Sequence, residues 1–246
     1  MYEEVICIIP ARFNAKRLPG KPLRTILGKP LIQYVWERVR KAKLVDRIII
    51  ATDTLKVKNV CERFGAEAIL TSTDCCSGSD RVAQVAKKLK PEIIINVQCD
   101  EPLISVSLID RLVMELKKNK NLKYVTAACF LKDLSLIQDP NIVKVVIDKN
   151  NYALYFSRAP IPYNRNNSRK ICALKHLGIY GYRYESLIRF ASMEKSNLEE
   201  IEKLEQLRIL ENGHKIKVII SKYDSISVDT EEDLKKVSKI LSERRG

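Results

Sequence analysis

Short, branched apolar runs alternate with longer stretches of helical periodicity through the first half of the chain. Val5-Ile6-Cys7-Ile8-Ile9, Arg47-Ile48-Ile49-Ile50-Ala51 and Ile93-Ile94-Ile95-Asn96-Val97 each read as a buried strand. Between them, Leu31, Ile32, Val35, Trp36 and Val39 recur at the spacing of an amphipathic helix from Leu31 to Lys43. Val57, Val60, Cys61 and Phe64 mark a second helix, stopped by Gly65, and Glu67 to Leu70 a short strand. After a polar loop from Thr71 to Ser79, Val82, Ala83, Val85, Ala86 and Leu89 mark a third helix, and Ile109, Leu112, Val113 and Leu116 a fourth. This alternation predicts right-handed βαβ crossovers and an α/β fold with a mostly parallel or mixed central sheet.

From about Tyr124 the rhythm changes. Tyr124 to Phe130, Ile142 to Asp148, Tyr152 to Ser157 and Leu177 to Arg183 read as strands with little helix between them. They are expected either as antiparallel additions to the sheet or as a β-rich lobe, at about 124–185, that pairs with a second subunit. Asn164 to Lys170 reads as a mobile polar loop. Ser196 to Glu199 forms a capping box, and Ile201, Leu204 and Leu207 predict one helix running on to Asn212-Gly213. Ile216 to Ser221 is a last strand, and Thr230 to Asp233 caps a final helix carrying Leu234, Val237 and Leu241. No repeat or interdomain linker breaks residues 1–246, so one domain carrying that lobe is expected.

Composition narrows the function classes. No apolar run nears the roughly 20 residues that span a bilayer, and the N-terminus has no basic leader, so a soluble cytoplasmic protein without membrane insertion is expected. Seven cysteines, an odd number without a C-x-x-C pair, make a poor disulfide framework and a poor zinc site. The formal charge of +14 permits nucleic-acid binding, but the lysines are spread along helix faces among acids. No helix-turn-helix, zinc finger or aromatic RNA-binding signature accompanies them, so no nucleic-acid partner is expected.

The chemistry gathers at strand exits. Arg12, Lys16, Arg17 and Lys21 follow the first strand, stiffened by Pro10, Pro19 and Pro22. Ligands of open α/β sheets sit outside the carboxyl ends of the strands, and guanidinium and ammonium groups there suit a polyanionic small molecule. Asp100 leaves the Ile93–Val97 strand on the same expected edge. A carboxylate beside a phosphate site calls for a bridging magnesium, with Asp229 as second ligand. The alternative for Asp229 is an acid stabilising the last helix through its dipole.

Several segments fit one pattern: Ile9 to Arg12 with Arg17 to Leu23, Asn96 to Pro102, Ala153 to Pro162, His176 to Arg183, Leu204 to Arg208 and Val228 to Leu234. Together, in this order and nearly end to end, the chain resembles the 3-deoxy-manno-octulosonate (Kdo) cytidylyltransferases, or CMP-Kdo synthetases. The resemblance implies a homodimeric, magnesium-dependent nucleotidyltransferase with a glycosyltransferase-A-like fold. It would make CMP-Kdo and pyrophosphate from CTP and Kdo for lipopolysaccharide biosynthesis. It assigns Arg12, Arg17 and Lys21 to the triphosphate, Asp100 and Asp229 to magnesium, and Ser77, Gly78 and Arg81 to cytosine and its ribose. Gln98, Arg158, His176, Tyr182, Glu205 and Gln206 match positions around the sugar acid, with Arg158 suited to a carboxylate. Read without that pattern, Arg158 is a structural ion pair, Glu205 a helix-surface acid and His176 a satisfied strand residue. Cys99 replaces the family's usual glycine beside the metal aspartate, so a side chain there is expected either to crowd the site or to demand a negative backbone angle. Cys75-Cys76 opens the base loop, and Ser227 stands where a glycine commonly precedes Val-Asp-Thr. Competing expectations are another sugar acid, such as 8-amino-Kdo or a nonulosonate, and a basic nucleic-acid-binding module.

Overall fold

The computed structural model describes residues 3–14, 18–131, 133–165 and 173–243. The expected loop residues 166–170, and Lys16 and Arg17 of the first loop, lie outside these. In chain order the elements are β1 (Val5–Ala11), β2 (Thr25–Ile26), β3 (Lys29–Pro30), α1 (Leu31–Val39), β4 (Arg47–Thr52), α2 (Leu55–Arg63), β5 (Glu67–Leu70), α3 (Gly78–Leu89), β6 (Ile93–Val97) and α4 (Val106–Lys118). There follow β7 (Tyr124–Phe130), β8 (Lys144–Ile147), β9 (Ala153–Ser157), β10 (Leu174–Arg183), α5 (Tyr184–Ser192), α6 (Asn197–Glu202), α7 (Leu207–Glu211), β11 (Ile216–Ser221) and α8 (Glu231–Glu243).

The main sheet runs β11-β7-β10-β6-β1-β4-β5. Its first half is parallel, with β1 between β6 and β4, as right-handed crossovers demand. Strand β10 enters antiparallel between β6 and β7, and β11 returns parallel to β7. Strands β8 and β9 branch off β10 as an antiparallel pair. The region from Tyr124 is therefore divided: β7 and β10 complete the sheet, while β8 and β9 project from it.

Alternation along the strands sorts side chains into two cores. Val5, Cys7 and Ile9 pack with Ile32 and Val35 of α1 and Ile109 and Leu112 of α4. Ile6 and Ile8 face the other way, onto Val82 and Val85 of α3 and Leu187 and Phe190 of α5. A third cluster joins Leu18, Leu31 and Leu103 to Val228 and Val237, so α8 folds back against the first loop. The backbone N–H of Val228 also donates to the carbonyl of Asp100 at 2.8 Å. Distant sequence segments carrying Lys21, Asp100 and Asp229 thereby share one sheet edge.

Two helical boundaries depart from the periodicity. Helix α3 begins at Gly78, within the expected polar loop, because Ser77 and Asp80 form a reciprocal capping box. The single helix expected after Ser196 is broken. Helix α6 ends at Lys203, in the left-handed region at φ 54° and ψ 46°, and α7 starts afresh at Leu207. Ile201, expected on the buried face, is 69% exposed.

Candidate active site

Two adjoining cavities open along the carboxyl edge of the sheet. Ser77, Gly78 and Gln98 wall both. The smaller, of about 180 Å³, is bordered by Arg12, Lys21, Arg81 and Cys99. Exposed Arg12 makes no hydrogen bond or ion pair among the described residues, so its guanidinium is available to a ligand. The Lys21 ammonium lies 2.7 Å from Asp100 Oδ2 and 2.7 Å from Asp229 Oδ1. Burial works against its charge, but Asp100 and Asp229 outweigh burial and raise its pKa.

Two carboxylates able to share one cation are oxygen donors of the kind a hard divalent ion takes beside substrate phosphates, so this pair fits magnesium. Among the described residues no group of three or more His, Cys, Asp or Glu side chains is placed to hold a metal. The donor set is thus the open one that magnesium uses, with phosphates and water completing it.

The amino end of α3 lies against both cavities, its first turn capped by the reciprocal Ser77–Asp80 hydrogen bonds. A Cβ at Gly78 would sit 3.3 Å from Gln98 Oε1 and 3.4 Å from Pro10 Cγ, so the close approach of helix, β1 exit and β6 exit leaves little space for a side chain. Arg81 borders the smaller cavity but is itself buried, paired with Asp53 at 3.2 Å and donating to the Thr71 hydroxyl. It therefore ties α3 to the ends of β4 and β5 while forming part of the wall. Cys99 has negative φ, so replacing glycine there introduces no backbone strain. Burial, reinforced by Asp100, pushes its thiol up to about 12.

The larger cavity, of about 580 Å³, is bordered by Gln98, Arg158, His176, Tyr180, Glu205 and Gln206. Glu205 accepts from the Ser79 hydroxyl at 2.6 Å, while its Oε2 has no partner. Gln206 Nε2 and the Tyr180 hydroxyl are likewise buried without partners. Burial raises the Glu205 pKa. Such orphaned groups are rare in folded proteins, and all three belong to residues that border this cavity. The Thr126 hydroxyl has one hydrogen, given to the Ile179 carbonyl at 2.8 Å, so at 3.0 Å it accepts from His176 Nε2. That fixes the tautomer and leaves Nδ1 as an acceptor. Burial lowers the His176 pKa to about 3, keeping the ring neutral.

Arg158 is held from both sides. Its N–H donates to Glu202 Oε2 at 2.9 Å, its Nε to the Glu202 carbonyl at 2.8 Å and its Nη1 to the Pro140 carbonyl at 2.8 Å. Buried Lys144 gives its three donors to the carbonyls of Asp139, Ile142 and Arg158. Arg208 is consumed by a bidentate pair with Glu199 at 2.6 and 2.7 Å, so its role is to brace α6 against α7. Tyr182 does not border the cavity. It is buried beneath, stacked on Tyr180 and Phe190. Tyr180, two residues earlier on the same face of β10, is the tyrosine at the wall, and strand alternation alone cannot choose between them.

A cationic cleft, a paired carboxylate edge and an adjoining cavity lined by charged and amide side chains on this sheet define a nucleotidyltransferase. The comparisons with known proteins agree. The cytidylyltransferase family profile matches residues 6–216. The 3-deoxy-manno-octulosonate cytidylyltransferase of Thermodesulfovibrio yellowstonii is 47% identical over 96% of this chain and 98% of its own. That of Fusobacterium nucleatum is 46% identical over 96% of each. A solved CMP:2-keto-3-deoxy-manno-octonic acid synthetase in complex with CTP superposes with a TM-score of 0.93 at 38% identity, over 98% of this chain and 99% of that one. The chain belongs to the cytidylyltransferase family, in the group of 3-deoxy-manno-octulosonate cytidylyltransferases.

Proposed function

We propose that the protein transfers the cytidylyl group of CTP to the anomeric 2-hydroxyl of 3-deoxy-manno-octulosonate, giving CMP-Kdo and pyrophosphate. The observation that carries the acceptor is the set of unmet polar atoms on Tyr180, Glu205 and Gln206 around the larger cavity. A polyhydroxylated acid satisfies them, and an acceptor lacking those hydroxyls leaves them buried and unpaired. The donor is carried by the adjoining cationic cleft and by the CTP bound to the similar solved synthetase.

The 2-hydroxyl gives up its proton to water and its oxygen bonds to the α-phosphorus, while the bond from that phosphorus to the oxygen bridging to the β-phosphate breaks and pyrophosphate leaves. Phosphoryl transfer rests on positioning and charge stabilisation, which Arg12 and Lys21 supply to the phosphates, as would Arg17 by its place in the motif. Magnesium held by Asp100 and Asp229 would neutralise phosphate charge and lower the pKa of the attacking hydroxyl. Arg158 meets the sugar's carboxylate, and Gln98, His176, Glu205 and Gln206 orient its hydroxyls. The reaction supplies lipopolysaccharide biosynthesis from the cytoplasm; no helix among the described residues is long and apolar enough to cross a membrane. A second copy packs over the projecting β8–β9 pair, where Leu154 is 62% exposed, and over the segment after it, where Tyr163 is 87% exposed.

Product analysis by mass spectrometry and phosphorus NMR, after incubation with CTP, magnesium and Kdo, tests this reading. CMP-Kdo with one pyrophosphate is expected. A folded protein that forms no adduct with Kdo but forms one with 8-amino-Kdo or a nonulosonate would overturn the choice of acceptor.

A further inference from the structure

We propose that Lys203 is a substrate-binding residue, a second cation for the carboxylate of the sugar acid, held in place by a strained backbone. The proposal rests on the acceptor reading above and adds a residue to it. Lys203 and Arg158 together border the larger cavity and a third one, of about 440 Å³, that also reaches Asp229. The carboxylate and the attacking hydroxyl of the sugar acid are attached to one carbon. Groups that bind the carboxylate must therefore border the same space as the carboxylates at the reaction centre, and these two cations do.

Arg158 has already given its Nε and one Nη1 hydrogen to carbonyl oxygens, which reduces its capacity for a two-pronged grip. Arg208, the other arginine of the larger cavity, is neutralised by Glu199. The Lys203 ammonium is exposed and makes no hydrogen bond or ion pair among the described residues. Its backbone is the second observation. The left-handed conformation that ends α6 favours glycine, and a residue with a Cβ is disfavoured there. Lysine at such a position brings an ammonium group to the cavity at a cost to the fold.

The chain contains a matched control. Lys90 ends α3 with φ 53° and ψ 47°, and its N–H bonds the carbonyl four residues back, as that of Lys203 does. It is exposed and borders none of the three cavities. Lys203→Gly and Lys90→Gly thus relieve the same backbone strain and remove the same charge in two places.

The test is thermal melting and steady-state kinetics of both variants and of Lys203→Arg. Both glycine variants should melt higher than the parent. Only Lys203→Gly should raise the sugar-acid KM, by at least about tenfold for loss of a charge-assisted contact, with the CTP KM within twofold. Lys203→Arg should recover most of that loss. An unchanged sugar-acid KM in Lys203→Gly overturns the proposal, as does an equal rise for CTP or an equal rise in Lys90→Gly. A parent protein that forms no CMP adduct with any sugar acid removes the acceptor reading itself, an outcome distinct from parent activity that Lys203→Gly leaves untouched.

Discussion

On the phosphate side of the site, charged groups are paired with one another and partly open to water. Lys21 bridges Asp100 and Asp229, whose side chains are 22% and 31% exposed, while Arg12 faces solvent. On the sugar side, polar groups are buried and several are left without partners: Glu205 Oε2, Gln206 Nε2 and the Tyr180 hydroxyl. A cluster of the first kind can serve many polyanions, because charge is read with little regard for shape. Buried unmet groups serve only the ligand that satisfies them, since a mismatched one leaves the desolvation cost in place. On the function we propose, the two cavities divide the labour: one supplies the electrostatics of transfer, the other chooses the acceptor.

Removing the paired carboxylates should give the largest effect. Asp100→Asn is expected to lower turnover by at least about a thousandfold, consistent with the electrostatic share of phosphoryl transfer, with an unshifted melting temperature. A folded variant with near-parental turnover would take Asp100 out of the reaction. Next comes the acceptor wall. Glu205→Ala should raise the sugar-acid KM by about a hundredfold, the cost of losing a charged hydrogen-bond partner, and leave the CTP KM in place. Equal losses for both substrates would erase the division between the cavities.

His176 sharpens the comparison through stability. Its folded pKa, about 3, lies below the unfolded value of 6.5, so the stability it contributes is present above pH 6.5 and is lost as pH falls toward 3. Between pH 7 and pH 4 the parent should lose about 3 kcal/mol that His176→Gln does not. Denaturant melts at the two pH values measure this, and parallel losses would place the ring in water. The smallest effect belongs to Cys99. With no strain at its backbone and its thiol held protonated, Cys99→Gly should change turnover less than threefold and cost about 0.5–1 kcal/mol through added chain entropy.

How legible these regions were follows from their construction. Strands β1, β4 and β6 announce themselves because both faces are buried, which leaves unbroken branched runs. The meeting of Lys21 with Asp100 follows from the rule that strand ends converge on one edge, but the contribution of Asp229 depends on α8 packing against Leu18 and Leu31, which no local pattern encodes. The sugar side was harder to read. Ile201, Leu204 and Leu207 mimic a continuous helix, whereas Lys203 breaks it and turns Glu205 and Gln206 toward the cavity. Helix α5 was not expected, and Tyr182 stood in for Tyr180 because two residues on one strand face are equivalent until the surrounding helices are placed. The start of α3 did leave a signal, since Ser77 and Asp80 have the spacing of a capping box.

The most direct test of the account is pyrophosphate release by the purified protein with magnesium, measured with each substrate omitted in turn and with ATP or UTP in place of CTP. Release that requires CTP and Kdo together is the predicted result. Pyrophosphate released without the sugar acid, or equally from ATP and UTP, would contradict it.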